Sequence, residues 1–373
     1  MLNLLAVTDG GQVTRASEFL NIFRNYDSES SLVVLRRKGT LPFCDLIENT
    51  KIIDVEISNS IFRPWFRLFW ENVNLRFIVK DIHLDIYISF SHYLPTSIDK
   101  SVTSIIGVTN LAPFTPLALS KEKFTMKVKM KILRYSIISS AKKATHVIAL
   151  SKLCKSILIN HGIKSKNITV INNGVNNTNN DSTISPIDSY SIESNFILYV
   201  SSFFHYKNFE ILIKSYGILS KKMINNYQLV LIGRVHDESY YKDLKVLVRK
   251  LNIEDRVVFI PEIKREELVY FYKNTTLFIF PSLIENCPNI LLEALSFGCP
   301  ILCSSAKPMP EFGGSAVSYF NPHSVSSLHR IMVSTINNQN ILSKMKNMSL
   351  NRSKVYSWNL FTKSVVDLIK EVS

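Results

Sequence analysis

The chain has 373 residues, a length that suggests two domains, and its 46% hydrophobic and 20% charged residues exclude a disordered chain. Eleven glycines and 13 prolines exclude collagen-like or proline-rich sequence. Five cysteines (Cys44, Cys154, Cys287, Cys299 and Cys303) contain no CxxC pair, which argues against a disulfide framework or a zinc site, and a net charge of +14 calls for an anionic partner.

Met1 runs directly into LNLLAVTDGG with no basic n-region and no cleavage pattern, so no signal peptide is expected and the setting reads as cytoplasmic and reducing. LNLLAVT (2–8) reads as a strand, followed by a glycine turn at Gly10-Gly11 and a helical pattern through Phe19, Leu20 and Phe23. SLVVLRR, KIIDVEI, DIYISF, SVTSIIGV and ATHVIALS follow as further strands. Short apolar strands alternating with helices predict a parallel sheet covered on both faces. The chargeless run from Ser101 to Ser120 is long enough to span a bilayer, but Pro113, Pro116 and its Thr and Asn residues argue against a spanning helix.

Two segments of this half suit an interface. IFRPWFRLFW (61–70) sets Phe62, Trp65, Phe66, Phe69 and Trp70 beside Arg63 and Arg67, which fits a headgroup surface or a lipid-linked acceptor as well as an ordinary buried helix. Residues 121–166 hold 12 basic residues and one acid, Glu122. Within them, 121–143 has helical spacing, with Phe124, Val128, Ile132 and Tyr135 on one stripe and most lysines off it. An anionic membrane surface is the favoured partner, with a solvated face as the plain alternative. Nucleic acid is not expected, because no helix-turn-helix, RNP or zinc-finger pattern accompanies the charge.

Residues 172–194 are rich in Asn, Ser, Thr and Asp without an apolar period and read as a linker. The alternation then restarts with FILYVSS, YQLVLIG, RVVFIP, TLFIFPS and CPILCSS as strands. The chain thus divides into an N-terminal Rossmann-like domain (1–172), a linker (173–194), a second Rossmann-like domain (195–350) and a C-terminal helix (351–373) that is a candidate to pack back on the first domain. Ligands in such sheets sit at the carboxyl ends of the strands.

FPSLIENCPNILLEALSFGCPIL (280–302) carries most of the chemistry. Pro288 is placed for the first turn of a helix over 289–297, whose free N–H groups near Asn289 and Ile290 would suit a phosphate. Glu285 lies just before that helix and Glu293 about 5 residues inside it, roughly 7 Å from its start at 1.5 Å per residue, so that two carboxylates can accept from hydroxyls on either side of a diphosphate.

Glu285, seven residues, Glu293 and ALSFGCP resemble the Glu-x7-Glu signature of family 4 glycosyltransferases with the GT-B fold. YVSSFFHYKNFEILI, LVLIGR, EDRVVFIPEIKREELVYFYKNTTLFIFPS and SSAKPMPEFGGSAVSYFNP fall in that family's order, and ATHVIALSK…ITVINNGV resembles the end of its N-terminal domain. The likeness covers most of 195–330 and thinly covers 1–175. ENCPN…LEAL is similar to bacterial surface-polysaccharide enzymes.

The resemblance implies an α/β GT-B protein of two doubly wound Rossmann-like domains facing a central cleft. It implies a retaining transfer of a hexose or deoxyhexose from a nucleotide diphosphate sugar to a lipid-linked oligosaccharide, in O-antigen or related polysaccharide assembly on the inner face of the plasma membrane. Glu285 would meet the donor sugar, Lys207 the diphosphate and Glu293 the ribose, with Asn286, Asn289 and Ile290 also at the donor. Pro261 and Ile263 would border the base. Where the family often has an arginine, this chain has Ser202, and Arg234 is a candidate to supply the missing cation. Where the family often has His-Asn, this chain has Thr109-Asn110, and His92 is a candidate for the same need. Gly10, Gly11, His92 and Asn110 would face the acceptor. No DxD pair occurs, which fits a metal-independent site with no cofactor beyond the donor substrate. A nucleotide-sugar 2-epimerase of the same fold and an inactive scaffold are the alternatives.

Overall fold

The computed structural model describes residues 1–7, 10–41, 49–56, 63–115, 124–176, 187–219, 223 and 226–372. It divides into two compact units, 1–174 with 357–373, and 175–356.

The first unit is built on a seven-stranded sheet in the order β3-β2-β1-β4-β5-β6-β7. Its strands are β1 (Leu2–Asn3), β2 (Leu32–Arg37), β3 (Thr50–Val55), β4 (Ile86–Ser89), β5 (Thr103–Val108), β6 (His146–Ala149) and β7 (Ile168–Val170). Every pairing is parallel. The Leu2–Thr8 run gives only a two-residue strand, because Val7 N–H turns back onto the Leu4 carbonyl at 2.9 Å. Helix Gly10–Phe23 buries Ala16, Phe19, Leu20 and Phe23. The C-terminal helix Trp358–Val372 closes the same core, with Phe361 edge-on to Phe90 at 5.8 Å and Phe19 at 6.4 Å. Gly174 lies so close to the start of this helix that an added Cβ would stand 2.2 Å from the Trp358 nitrogen.

The second unit repeats the plan with six parallel strands in the order β10-β9-β8-β11-β12-β13. These are β8 (Phe196–Val200), β9 (Gln228–Ile232), β10 (Val257–Ile260), β11 (Leu277–Phe280), β12 (Ile301–Ser304) and β13 (Ser318–Phe320). β8, β9, β11 and β12 are buried along their whole length, as apolar runs in a doubly covered parallel sheet must be. Asp237, Ser324 and Asn338 accept from backbone N–H groups at the starts of three surrounding helices. Of the stretch read as a linker, Ile187–Tyr190 forms one helical turn and Ile192 enters the second core, while 177–186 lies outside the described residues.

Both orders reverse at one place, between β1 and β4 in the first unit and between β8 and β11 in the second. There two neighbouring strands send their following loops to opposite faces and leave a crevice at their carboxyl ends.

Candidate functional site

In the second unit the residues after β8 and β11 converge at this switch point. β8 runs out through Ser201 and Ser202 into a 3-10 turn, His205–Lys207, and Asn208 then takes a left-handed conformation (φ 60°) before helix Phe209–Gly217. The Asn208 side-chain amide donates to the carbonyls of Pro281 (3.2 Å) and Pro322 (2.9 Å), beyond β11 and β13. Leu283 N–H donates to the Tyr206 carbonyl at 2.9 Å, and the Tyr199 hydroxyl to that of Lys207 at 2.9 Å. Three strand ends are thereby tied into one rigid platform.

On that platform Lys207 Nζ lies 2.6 Å from Glu285 Oε1, with side chains only 15% and 12% exposed. Ser282 Oγ donates to the same carboxylate oxygen at 2.8 Å. Burial opposes the charge on Lys207, but the Glu285 carboxylate outweighs it and holds the ammonium pKa above its ordinary value. The lysine stays a cation at neutral pH.

Glu293 sits on helix Asn289–Ser296 with a different pair of donors. Arg265 Nη1 is 3.0 Å from Oε1, and the buried Tyr272 hydroxyl is 3.2 Å from Oε2. Arg265 opens helix Arg265–Asn274 and Tyr272 lies near its end.

Other expected donor residues fall around this core in varied states. Pro288 precedes the first helical residue instead of occupying the first turn. The Asn289 N–H is not free, because it donates to the Cys287 carbonyl at 2.9 Å across a tight turn centred on Pro288 (φ −80°, ψ 76°). Asn286 is buried, and Ile290 packs against the second core. Ser202 is half-buried, and Arg234 is exposed one residue beyond Gly233. Gly233 N–H donates to the Ile260 carbonyl at 2.9 Å, joining the end of β9 to that of β10. Pro261 then emerges exposed, while Ile263 packs inward. A cavity of about 290 Å³ lined by Lys273, Thr276, Ser343 and Lys346 lies at the opposite, amino-terminal ends of the strands, away from Lys207 and Glu285.

In the first unit Gly10 and Gly11 are exposed at the start of helix Gly10–Phe23. They open the helix instead of forming a turn before it, and Asp9 lies outside the described residues. Asn110 Oδ1 accepts from Ala112 N–H at 2.9 Å, a local turn bond. His92 follows β4; burial, with the Arg67 charge adding to it, pushes its pKa down to about 4, and Nδ1 has no hydrogen-bond partner. Sequence reasoning missed the network beside it. Asn3 Nδ2 donates to Glu71 Oε1 (2.8 Å) and to the Tyr87 hydroxyl (2.7 Å), and Arg67 lies 3.6 Å from Glu71 Oε2. Arg67, on helix Arg63–Val73, is therefore turned inward, whereas Phe66 and Phe69 of that helix are exposed; Phe62 and the Trp65 side chain lie outside the described residues.

Helix Phe124–Lys143 has two apolar faces. Leu133, Ile137 and Ala141 pack on the first unit, while Phe124, Val128, Ile132 and Tyr135 are exposed, the two aromatic residues at 79% and 76%. Lys129 and Lys131 are exposed beside that outer stripe, Lys127 is half-buried, and 121–123 lie outside the described residues.

Residues 187–352 match the family described as Glycosyl transferases group 1. The matched stretch makes up a little under half of the chain. It holds Lys207, Glu285 and Glu293 and nearly all of the second unit. The serotype-specific mannosyltransferase WbdA of Escherichia coli is 29% identical over 46% of this chain and 21% of its own length, so the chain spans about a fifth of that relative. The O-antigen chain mannosyltransferase RfbU of Salmonella typhimurium is 25% identical over 66% of this chain and 64% of its own. Among solved structures, Anabaena HepE in complex with UDP and glucose superposes with a TM-score of 0.74, covering 99% of this chain and 98% of that one at 16% identity. The two-unit parallel α/β fold is therefore GT-B.

Proposed function

We propose that the chain is a glycosyltransferase that moves a hexose or deoxyhexose from a nucleotide diphosphate sugar to a lipid-linked saccharide in O-antigen or related polysaccharide assembly. One observation carries the reading: the Lys207–Glu285 pair, mostly buried, at the switch point of the unit that matches glycosyl transferases group 1. The names of WbdA and RfbU support the setting, and the UDP and glucose bound by HepE support the donor class.

The roles follow from charge. A leaving diphosphate gathers negative charge as the glycosidic bond breaks, and a lysine held cationic and fixed in place stabilises that charge without reorganising. The Glu285 carboxylate accepts from donor-sugar hydroxyls, and Ser282 keeps it aimed when Lys207 turns to the phosphates. A lysine at the strand ends, with no DxD pair in the sequence, supports a metal-independent reaction. Retention of anomeric configuration rests on the resemblance to family 4, with the departing phosphate helping to deprotonate the acceptor.

The outer stripe of helix Phe124–Lys143 supports attachment to an anionic membrane surface. Apolar side chains beside exposed lysines combine insertion with attraction to acidic headgroups. Transfer of labelled sugar to a lipid-linked acceptor in a membrane extract tests the activity. E285Q and K207A should each lower it about 10²- to 10³-fold. Transfer unaffected by both substitutions refutes the assignment.

A further inference from the structure

We propose that Tyr272 and Arg265 are positioning residues for Glu293, and that the carboxylate they fix selects ribonucleoside diphosphates over their 2′-deoxy counterparts. The inference rests on the reading of Glu293 as the residue that meets the ribose.

A carboxylate has two oxygens and about four acceptor directions. In Glu293 each oxygen has one donor, Arg265 at 3.0 Å and Tyr272 at 3.2 Å, which leaves one direction on each for a ligand. A ribose offers two adjacent hydroxyls, both donors, and so matches two oxygens held at fixed orientation. A 2′-deoxyribose offers one and leaves the other oxygen short of a partner.

The two positioning residues hold the carboxylate in different ways. Tyr272 has no room to move: its ring is fully buried and stacked on Phe297 at 5.3 Å with planes 8° apart, and its carbonyl accepts from Cys299 Sγ at 3.1 Å. Burial and the nearby carboxylate both keep its hydroxyl protonated, so it remains a donor. Arg265 is 54% exposed and holds the outer oxygen by charge. Neither residue needs to touch the nucleotide. They remove the rotation that would let Glu293 fit a single hydroxyl equally well.

The test is calorimetric titration of the full chain with UDP, GDP and their 2′-deoxy forms, with pyrophosphate as a ligand that lacks the sugar. The wild type should favour the ribonucleotide about 10- to 100-fold, the range for one hydrogen bond to a charged group. E293Q should bring the ratio close to one. Y272F and R265A should each lower it at least threefold, on the order of the wild-type gap divided between two supports, while pyrophosphate affinity stays unchanged. Wild-type ratios in Y272F and R265A, with the ratio lost in E293Q, would overturn the positioning role and leave Glu293 at the ribose. An unchanged ratio in E293Q would remove the ribose reading and this inference with it. Should Y272F fail to fold, R265A, on an exposed side chain, decides the matter alone.

Discussion

Lys207 and Ser282 crowd one oxygen of the Glu285 carboxylate, and this sets how the site responds to pH. Lys207 has a folded pKa above the ordinary value of about 10.4, so the stability its pair contributes is full below that value and is lost as pH rises through the folded one. Stability curves for wild type and K207A should therefore run parallel between pH 7 and 9 and converge in strong alkali. His92 works in the opposite direction. Its folded pKa of about 4 lies below the ordinary 6.5, so the unfolded chain takes up the proton first. Stability is full above pH 6.5 and falls toward pH 4, by at most about 3 kcal/mol. Urea midpoints at pH 7 and 4.5 should differ less in H92Q than in wild type, and equal differences would show that His92 is not the group that titrates.

At the scale of elements, the site depends on how closely strand ends approach. An added Cβ on Gly233, where φ is +156°, would stand 1.8 Å from the Ser201 carbonyl oxygen. G233A must push β9 away from the residues leading to Lys207, and a loss of about 3–5 kcal/mol is expected, read as a lower melting temperature. Long apolar runs such as FILYV and LFIF were legible in the sequence because a doubly covered strand has few other environments. β7 and β13 span three residues each and carry too little pattern to be recognised, and β1 was read as longer than its two residues. Glu285 and Lys207 were legible from their neighbours in sequence. The Tyr272 hydroxyl on Glu293 was not, because YFYKN reads as ordinary core, and the Asn3–Glu71–Tyr87 network joins residues far apart in the chain. Helix Phe124–Lys143 had a legible stripe, but no local pattern states that the stripe faces outward while Leu133 and Ile137 take the core.

On the scale of the whole molecule, the charge and the chemistry lie in different units. The 12 basic residues of 121–166 belong to the first unit, whereas Lys207, Glu285 and Glu293 belong to the second. The proposed membrane attachment and the proposed donor binding should therefore be separable. Reversing charge at Lys127, Lys129 and Lys131 should release the protein from anionic vesicles, as added salt should, and leave nucleotide affinity unchanged. Vesicle binding indifferent to both would make the helix a solvated face. The donor site itself is tested most directly by the melting temperature of the purified chain with UDP, GDP, ADP or dTDP, in wild type and K207A. A nucleotide present at about 100 times its dissociation constant should stabilise the wild type by about 2.7 kcal/mol, and K207A should lose most of that shift. No shift with any of the four nucleotides, or the same shift in K207A, would contradict a donor site built on Lys207 and Glu285.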